Sequence, residues 1–213
     1  TGLHVYESGA VVLALEEDPH EPPARPFHVE ALPEEAAREA VRLARRLALP
    51  LEGYTADGGF FVEGDSPLLE AHQRLLGVEA EGADLLRLSS PLVRLQVLAE
   101  GEAPVERLLE ALPRGLQAHV AESPKMPGVR FVSLTKEGVS KLSAARLVAE
   151  AYGLPLSECA MVGDGENDLE LLRAVGVGIA MGNAPPSVKR AAQRVVAPVE
   201  ACGLAEALRL LRG

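Results

Sequence analysis

The sequence predicts an α/β fold with a parallel sheet, accompanied by a second unit of mixed α+β type. Over residues 136–213, helical patterns alternate with short apolar strands, which is the rhythm of a parallel sheet with crossover helices. Residues 27–135 instead combine helices with several consecutive strands. Proline marks both ends of this segment, at Pro26 on one side and at Pro124 and Pro127 on the other. We therefore expect two domains.

The first residues predict a strand pair followed by a linker. Short apolar runs over 3–7 and 10–15 flank a turn at Ser8-Gly9, and prolines crowd the stretch 18–26. The next elements are a helix over 33–48 with Pro33 in its first turn, and a hairpin over 51–55 and 60–63. The remaining elements of this part are a helix over 66–75, a strand over 92–99, a helix over 102–112 and strands over 115–121 and 129–134.

The hairpin turn Asp57-Gly58-Gly59 has two interpretations. It could be a loop that reaches a substrate, but a plain turn is favoured because Asp-Gly is a strong hairpin signal. In the last part of the chain the predicted helices span 140–152, 168–175, 185–192 and 204–211, and the strands span 158–162, 177–180 and 194–197. We expect the strand 158–162 to be buried, with Cys159 in the core.

Composition narrows the possible functions. The chain has 213 residues, 47% of them hydrophobic, and a net charge of -10, so non-specific binding of nucleic acid is not expected. It lacks the roughly 18 consecutive apolar residues of a membrane helix. The two isolated cysteines, Cys159 and Cys202, form neither a disulfide framework nor a metal cluster, which favours the reducing cytoplasm.

The most informative stretch follows the strand that ends at Val162. It is the run Gly163-Asp164-Gly165-Glu166-Asn167-Asp168, after which a helix begins. Ligands of open α/β sheets bind beyond the carboxyl ends of strands, and the glycines let the backbone turn tightly and approach a ligand. Asp164 and Asp168 could face one point, where their hard oxygen atoms suit Mg²⁺. The alternative is an ordinary turn with Asn167 or Asp168 capping the helix.

Lys141 is the second candidate, because it stands at the start of the helix over 140–152. A cation at that end opposes the helix dipole, and a bound anion would remove the conflict. The alternative is an exposed lysine without a role. The five histidines lack metal-ligand spacing and are interpreted as surface or incidental residues: His4, His20, His28, His72 and His119.

Several stretches together resemble Cof-type phosphatases, subfamily IIB of the haloacid dehalogenase superfamily. They are Gly138-Val139-Ser140-Lys141, the run from Gly163 to Leu172, and Gly178-Ile179-Ala180-Met181-Gly182-Asn183-Ala184. Gly203-Leu204-Ala205 is similar to the closing helix of the family, and Glu7-Ser8-Gly9-Ala10 to its Asn-Gly-Ala strand turn, with Ser8 in place of Asn. The resemblance is close over 129–213, partial over 1–15, and limited to element order over 27–128.

The resemblance implies a Rossmann-like core of residues 1–26 and 136–213, with residues 27–135 inserted as a C2-type cap. It implies hydrolysis of a small phosphorylated metabolite, with Mg²⁺ bound by Asp164. Lys141 and Asn167 would contact the transferred phosphoryl group, and Asp168 would support the metal site or hold Lys141. Lys141 and Asp168 are thus the expected catalytic residues.

The chain departs from the family pattern in two ways. The family carries an Asp-x-Asp whose first Asp attacks phosphorus, whereas no two of the six aspartates here are two residues apart. We expect a piece of roughly 30 residues or more upstream of Thr1 to carry that motif, so that the 213-residue chain alone is inactive. In addition, Leu142 follows Lys141, where the family usually has Gly.

Two other functions stay open at this point. The cytosolic part of a P-type cation pump shares a similar Gly-Asp-Gly-x-Asn-Asp loop, although no spanning segment follows it here. A non-catalytic protein that retains phosphate and metal affinity is the other alternative. For the phosphatase, the expected partner is a small phosphorylated compound, not nucleic acid or a membrane.

Overall fold

The computed structural model describes residues 2–15 and 24–212. They form two compact units, Thr1–Val139 and Ser140–Gly213. The assignment of residues 1–26 to the same domain as 136–213 stays a prediction.

The first unit begins with a three-stranded antiparallel sheet in the order β1-β2-β3. Its strands are β1 (Gly2–Tyr6), β2 (Val11–Leu15) and β3 (Ala24–Val29). The predicted linker is therefore wrong at its end, where β3 forms, while residues 18–23 lie outside the described residues. Pro26 is tolerated because β3 is an edge strand of this sheet, and its register shifts between Val12 and Leu13.

A six-stranded sheet makes up the rest of the first unit, in the order β6-β5-β4-β7-β9-β8. Its strands are β4 (Leu51–Thr55), β5 (Phe60–Glu63), β6 (Glu81–Gly82), β7 (Leu92–Glu100), β8 (Leu116–Ser123) and β9 (Met126–Lys136). Its helices are α1 (Glu34–Arg46), α2 (Pro67–Leu76) and α3 (Ala103–Glu110). The predicted hairpin is confirmed, with Gly58 at φ 87° in its turn.

Both faces of this sheet are packed, because side chains alternate along each strand. Val97 belongs to the cluster that contains Val41 of α1 and Leu108 of α3. The next residue, Leu98, belongs to a separate cluster with Leu69 of α2. The sheet is thus covered by α1 and α3 on one face and by α2 on part of the other.

A buried polar network lies beneath α2. Glu52 is 0% exposed, and its carboxylate accepts hydrogen bonds of 2.7 Å from His72 Nδ1, the Tyr54 hydroxyl and Gln96 Nε2. Burial, followed by the charge of Glu52, raises the pKa of Tyr54, so the phenol stays protonated and donates. The interpretation of His72 as a surface residue is therefore wrong, since its ring is needed to satisfy a carboxylate inside the protein.

The second unit contains a three-stranded parallel sheet in the order β10-β11-β12, which confirms the predicted parallel pairing. Its strands are β10 (Ala160–Gly163), β11 (Val177–Ala180) and β12 (Arg194–Val195). Its helices are α4 (Lys141–Ala151), α5 (Leu169–Ala174), α6 (Pro186–Ala191) and α7 (Gly203–Leu211). Helices α5 and α6 form the crossovers between successive strands.

Strand β10 is less buried than predicted. Ala160 is exposed, Met161 and Val162 are half-buried, and Cys159 is half-buried rather than part of the core. The reason is that β10 pairs with β11 alone within the described part of the chain. Within residues 2–15 and 24–212, no helix is long and apolar enough to cross a membrane.

Candidate active site

The acidic loop predicted from the sequence lies at the carboxyl end of β10. The strand ends at Gly163, a 3₁₀ turn covers Glu166–Asp168, and α5 follows. A Cβ atom at Gly163 would lie 2.7 Å from Asp168 Oδ2, so glycine is needed there for the aspartate to turn back toward the strand. The tight loop is therefore built around the Asp168 side chain.

Asp168 is the central residue of this loop. It is 4% exposed, and its Oδ2 atom accepts hydrogen bonds of 3.1 Å from the backbone N–H groups of Asp164 and Gly165. Its other oxygen, Oδ1, accepts a 2.6 Å hydrogen bond from Lys141 Nζ. One buried carboxylate thus closes the loop and binds the lysine, whereas its side chain makes no capping hydrogen bond to α5.

Lys141 reaches Asp168 from the first turn of α4. Ser140 caps this helix: its hydroxyl accepts from Ser143 N at 3.1 Å, and the Ser143 hydroxyl accepts from Ser140 N at 2.8 Å. The cap places Lys141 at the amino end, where its charge opposes the helix dipole, and the Asp168 carboxylate offsets that conflict. Because an ammonium group carries three donors and Asp168 takes one, Lys141 retains donors for a ligand.

Asp164 and Asn167 occupy the exposed side of the same loop. Asp164 Oδ2 accepts a 3.1 Å hydrogen bond from Asn183 Nδ2, and Glu166 Oε1 accepts a 2.9 Å bond from the Ser187 hydroxyl. All four sequence-predicted residues therefore belong to one locus in the second unit. Asn183 and Ser187 were not predicted to contact this loop, although Asn183 lies within one of the stretches that carried the resemblance.

The donor set fits Mg²⁺ in kind, because Asp164 offers a solvent-accessible hard oxygen ligand. Mg²⁺ in proteins is commonly held by one or two carboxylates together with waters and substrate phosphates. Across residues 2–15 and 24–212, no group of three or more His, Cys, Asp or Glu side chains forms a metal cluster. Asp168 is bonded to Lys141 and Glu166 to Ser187, and Asp164 is the carboxylate that the resemblance assigns to the ion and that would hold it.

An acidic, glycine-containing loop after a parallel strand, bonded to a lysine from a neighbouring helix, lies where ligands of open α/β sheets bind. The chain belongs to the family described as haloacid dehalogenase-like hydrolase, whose sequence profile matches residues 23–208. The resemblance to Cof-type phosphatases and the α/β fold class are both confirmed.

Known relatives support the same class. A Haemophilus influenzae protein, provisionally named as a phosphatase, is 27% identical over 198 residues, which are 93% of this chain and 71% of that protein. The HMP-PP phosphatase of Cronobacter sakazakii is 31% identical over 137 residues, 62% of this chain and 48% of its own. The solved structure of BT1666, a haloacid dehalogenase superfamily phosphatase from Bacteroides thetaiotaomicron, matches with a TM-score of 0.76 at 26% identity, covering 95% of this chain and 70% of that one.

Proposed function

We propose that the full-length protein is a Mg²⁺-dependent phosphomonoester hydrolase acting on a small phosphorylated metabolite, such as a sugar phosphate. The supporting observation is the bond between Lys141 Nζ and Asp168 Oδ1, 2.6 Å long, in a loop whose amides bind the same carboxylate. It presents a cation next to an exposed carboxylate, Asp164, at the carboxyl end of a parallel strand. A dianionic phosphate and its counter-ion require that combination.

In the proposed reaction the protein forms and then cleaves an aspartyl phosphate. A carboxylate upstream of Thr1 attacks phosphorus, the new O–P bond forms as the ester P–O bond breaks, and the second carboxylic acid of the same Asp-x-Asp gives its proton to the departing alcohol oxygen. That second carboxylate then takes a proton from a water molecule, whose oxygen attacks phosphorus, and the O–P bond to the first carboxylate breaks as inorganic phosphate forms. A Mg²⁺ ion held by Asp164 would neutralise charge on the phosphoryl oxygens.

The residues of this chain bind and orient the phosphoryl group. Lys141 donates to its oxygens, and Asn167, exposed in the same turn, supplies a neutral donor. Asp168 does not contact the substrate in this proposal. It holds the ammonium of Lys141 in one position, which lowers the entropic cost of reaching the transition state.

Two observations support the proposed substrate class, one from a relative and one from the charge of the chain. HMP-PP phosphatase, by its name, acts on a small phosphorylated compound. The net charge of -10 disfavours polyanionic partners such as nucleic acids, but it permits a local cationic site around Lys141. We place the enzyme in the cytoplasm, because such metabolites occur there and because two isolated cysteines suit a reducing compartment.

The test is steady-state kinetics of the full-length protein on a panel of phosphorylated metabolites with Mg²⁺. Lys141→Ala and Asp164→Asn should each lower kcat/KM about tenfold or more, because each removes a charge that stabilises the transition state. Lys189→Ala and Glu170→Gln, which change the same kinds of charge on neighbouring helices, should leave it within about twofold.

Unchanged turnover in both site variants would reject the assignment. Mg²⁺ and phosphate binding by a full-length protein that turns over no compound of the panel would instead favour the non-catalytic alternative.

A further inference from the structure

Two side chains that follow β11 in the sequence, those of Asn183 and Ser187, donate hydrogen bonds to the acidic loop. Asn183 donates to Asp164, with 3.1 Å between Nδ2 and Oδ2. The hydroxyl of Ser187, the second residue of α6, donates to Glu166 Oε1 over 2.9 Å. Neither residue has a part in the reaction proposed above, yet one of them bonds directly to the carboxylate assigned to the metal.

The backbone around Asn183 is fixed by its neighbours. Met181 N donates to Gly163 O at 2.9 Å, which ties this segment to the end of β10. Gly182 N donates to Ala197 O at 3.2 Å, and a Cβ atom at Gly182 would lie 2.6 Å from Pro198 N. Only glycine permits so close an approach. Asn183 therefore stands on a rigid base.

The side-chain amide of Asn183 is oriented by a second hydrogen bond. Its Oδ1 atom accepts from Val199 N at 3.1 Å, and a backbone N–H can only donate. The NH₂ group must then face Asp164, as the geometry requires. Donation to Oδ2 leaves Oδ1 of Asp164 available and selects one rotamer of an otherwise exposed carboxylate.

We propose that Asn183 is a positioning residue that orients Asp164 for binding a divalent cation. This inference rests on the proposed function, because it takes Asp164 as the metal ligand. A ligand held in its binding rotamer loses less conformational entropy when the ion arrives. Partners that orient metal ligands typically contribute ten- to a hundredfold in affinity. Since this hydrogen bond is exposed, we expect the lower end of that range.

The experiment measures Mn²⁺ binding to the full-length protein by electron paramagnetic resonance, at a temperature where every variant is folded. Asn183→Ala should raise the Kd for Mn²⁺ about tenfold. Asn183→Ser should do the same, because its hydroxyl is too short to bridge Asp164 and Val199 N. The matched control is Ser187→Ala, which removes the hydrogen bond to Glu166 and should leave the Kd within about twofold.

A merely structural role would lower the melting temperature of the Asn183 variants without changing the Kd of the folded protein, and that outcome overturns the inference. An equal rise in Ser187→Ala would also overturn it, because any loosening of the segment would then suffice. Asp164→Asn distinguishes a failure of the proposed metal ligand from a failure of the positioning role of Asn183. If it leaves Mn²⁺ binding unchanged, the proposed metal ligand is wrong. If it abolishes binding while both Asn183 variants bind normally, the positioning role alone is wrong.

Discussion

Lys141 Nζ lies 2.6 Å from Asp168 Oδ1, and the two partners differ sharply in exposure. The carboxylate side chain of Asp168 is 5% exposed, whereas that of Lys141 is 37% exposed. Asp168 also accepts two backbone N–H groups through its second oxygen. The Asp168 carboxylate is therefore fixed in the loop, while the Lys141 ammonium that it binds stays accessible to solvent. An accessible cation held in one place suits the binding of a phosphate.

Asp168→Asn should uncouple the lysine from the loop. The amide oxygen of Asn can still accept from Asp164 N and Gly165 N, but its NH₂ group would face the ammonium as a second donor. We expect kcat/KM of the full-length protein to fall about tenfold or more. Glu170→Gln, an exposed acid in α5, is the control. Wild-type kinetics for Asp168→Asn would show that the ion pair does not matter for turnover.

Purified residues 1–213 should hydrolyse no phosphomonoester with Mg²⁺. The reason is chemical: this sequence contains no Asp-x-Asp to supply the attacking carboxylate and its acid–base partner. Release of inorganic phosphate is the assay, with the full-length protein as the positive control. Measurable turnover by residues 1–213 would mean that a different group acts as nucleophile.

Glu52→Ala should destabilise the first unit by about 2–4 kcal/mol, because it leaves three buried donors without an acceptor. Those donors belong to His72, Tyr54 and Gln96. Urea unfolding followed by circular dichroism measures the effect, and Glu79→Ala, at an exposed position, is the control. A loss below that of the control would mean that the network is not maintained in solution.

Lys136→Met should lower stability in a pH-dependent way. The hydrogen bond from Lys136 Nζ holds the pKa of Glu30 below its usual value of 4.5. A carboxylate whose folded pKa is lowered contributes stability above its unfolded pKa and loses it as the pH falls through the folded one. The free energy of unfolding of the wild type should thus be higher than that of the variant by up to about 1 kcal/mol at neutral pH.

That difference should decrease as the pH falls below 4.5 and disappear once the pH is below the lowered pKa of Glu30, where Glu30 is protonated in both proteins. Melting temperatures measured in steps from about pH 7 to about pH 2.5 test this, because the difference is lost as the pH falls through the lowered pKa of Glu30. A constant difference over this range would show that the lysine stem, not its charge, stabilises the fold.

The sequence predicted those features that depend on residues close together in the chain. The hairpin of β4 and β5 follows from Asp57-Gly58, because a glycine adopts the positive φ of the turn at no cost. The acidic loop was likewise predicted, since its glycines (Gly163 and Gly165) and its aspartates (Asp164 and Asp168) lie within six consecutive residues. Lys141 was identified because a cation at a helix start is unusual.

Contacts between distant residues could not be predicted in this way. Strand β3 was hidden by Pro26, since only its place at a sheet edge makes the proline acceptable. Glu52 and His72 are in contact because α2 packs on the sheet, and the spacing of the two residues in the sequence does not predict this contact. The bond between Asn183 and Asp164 depends on how closely Gly182 approaches Pro198.

The most direct test of the central claim is a crystal structure of the full-length protein with Mg²⁺ and inorganic phosphate. We predict a metal ion on an oxygen of Asp164 and a phosphate oxygen within about 3 Å of Lys141 Nζ. A phosphate bound away from Lys141, or a metal ion that does not contact Asp164, would contradict the account.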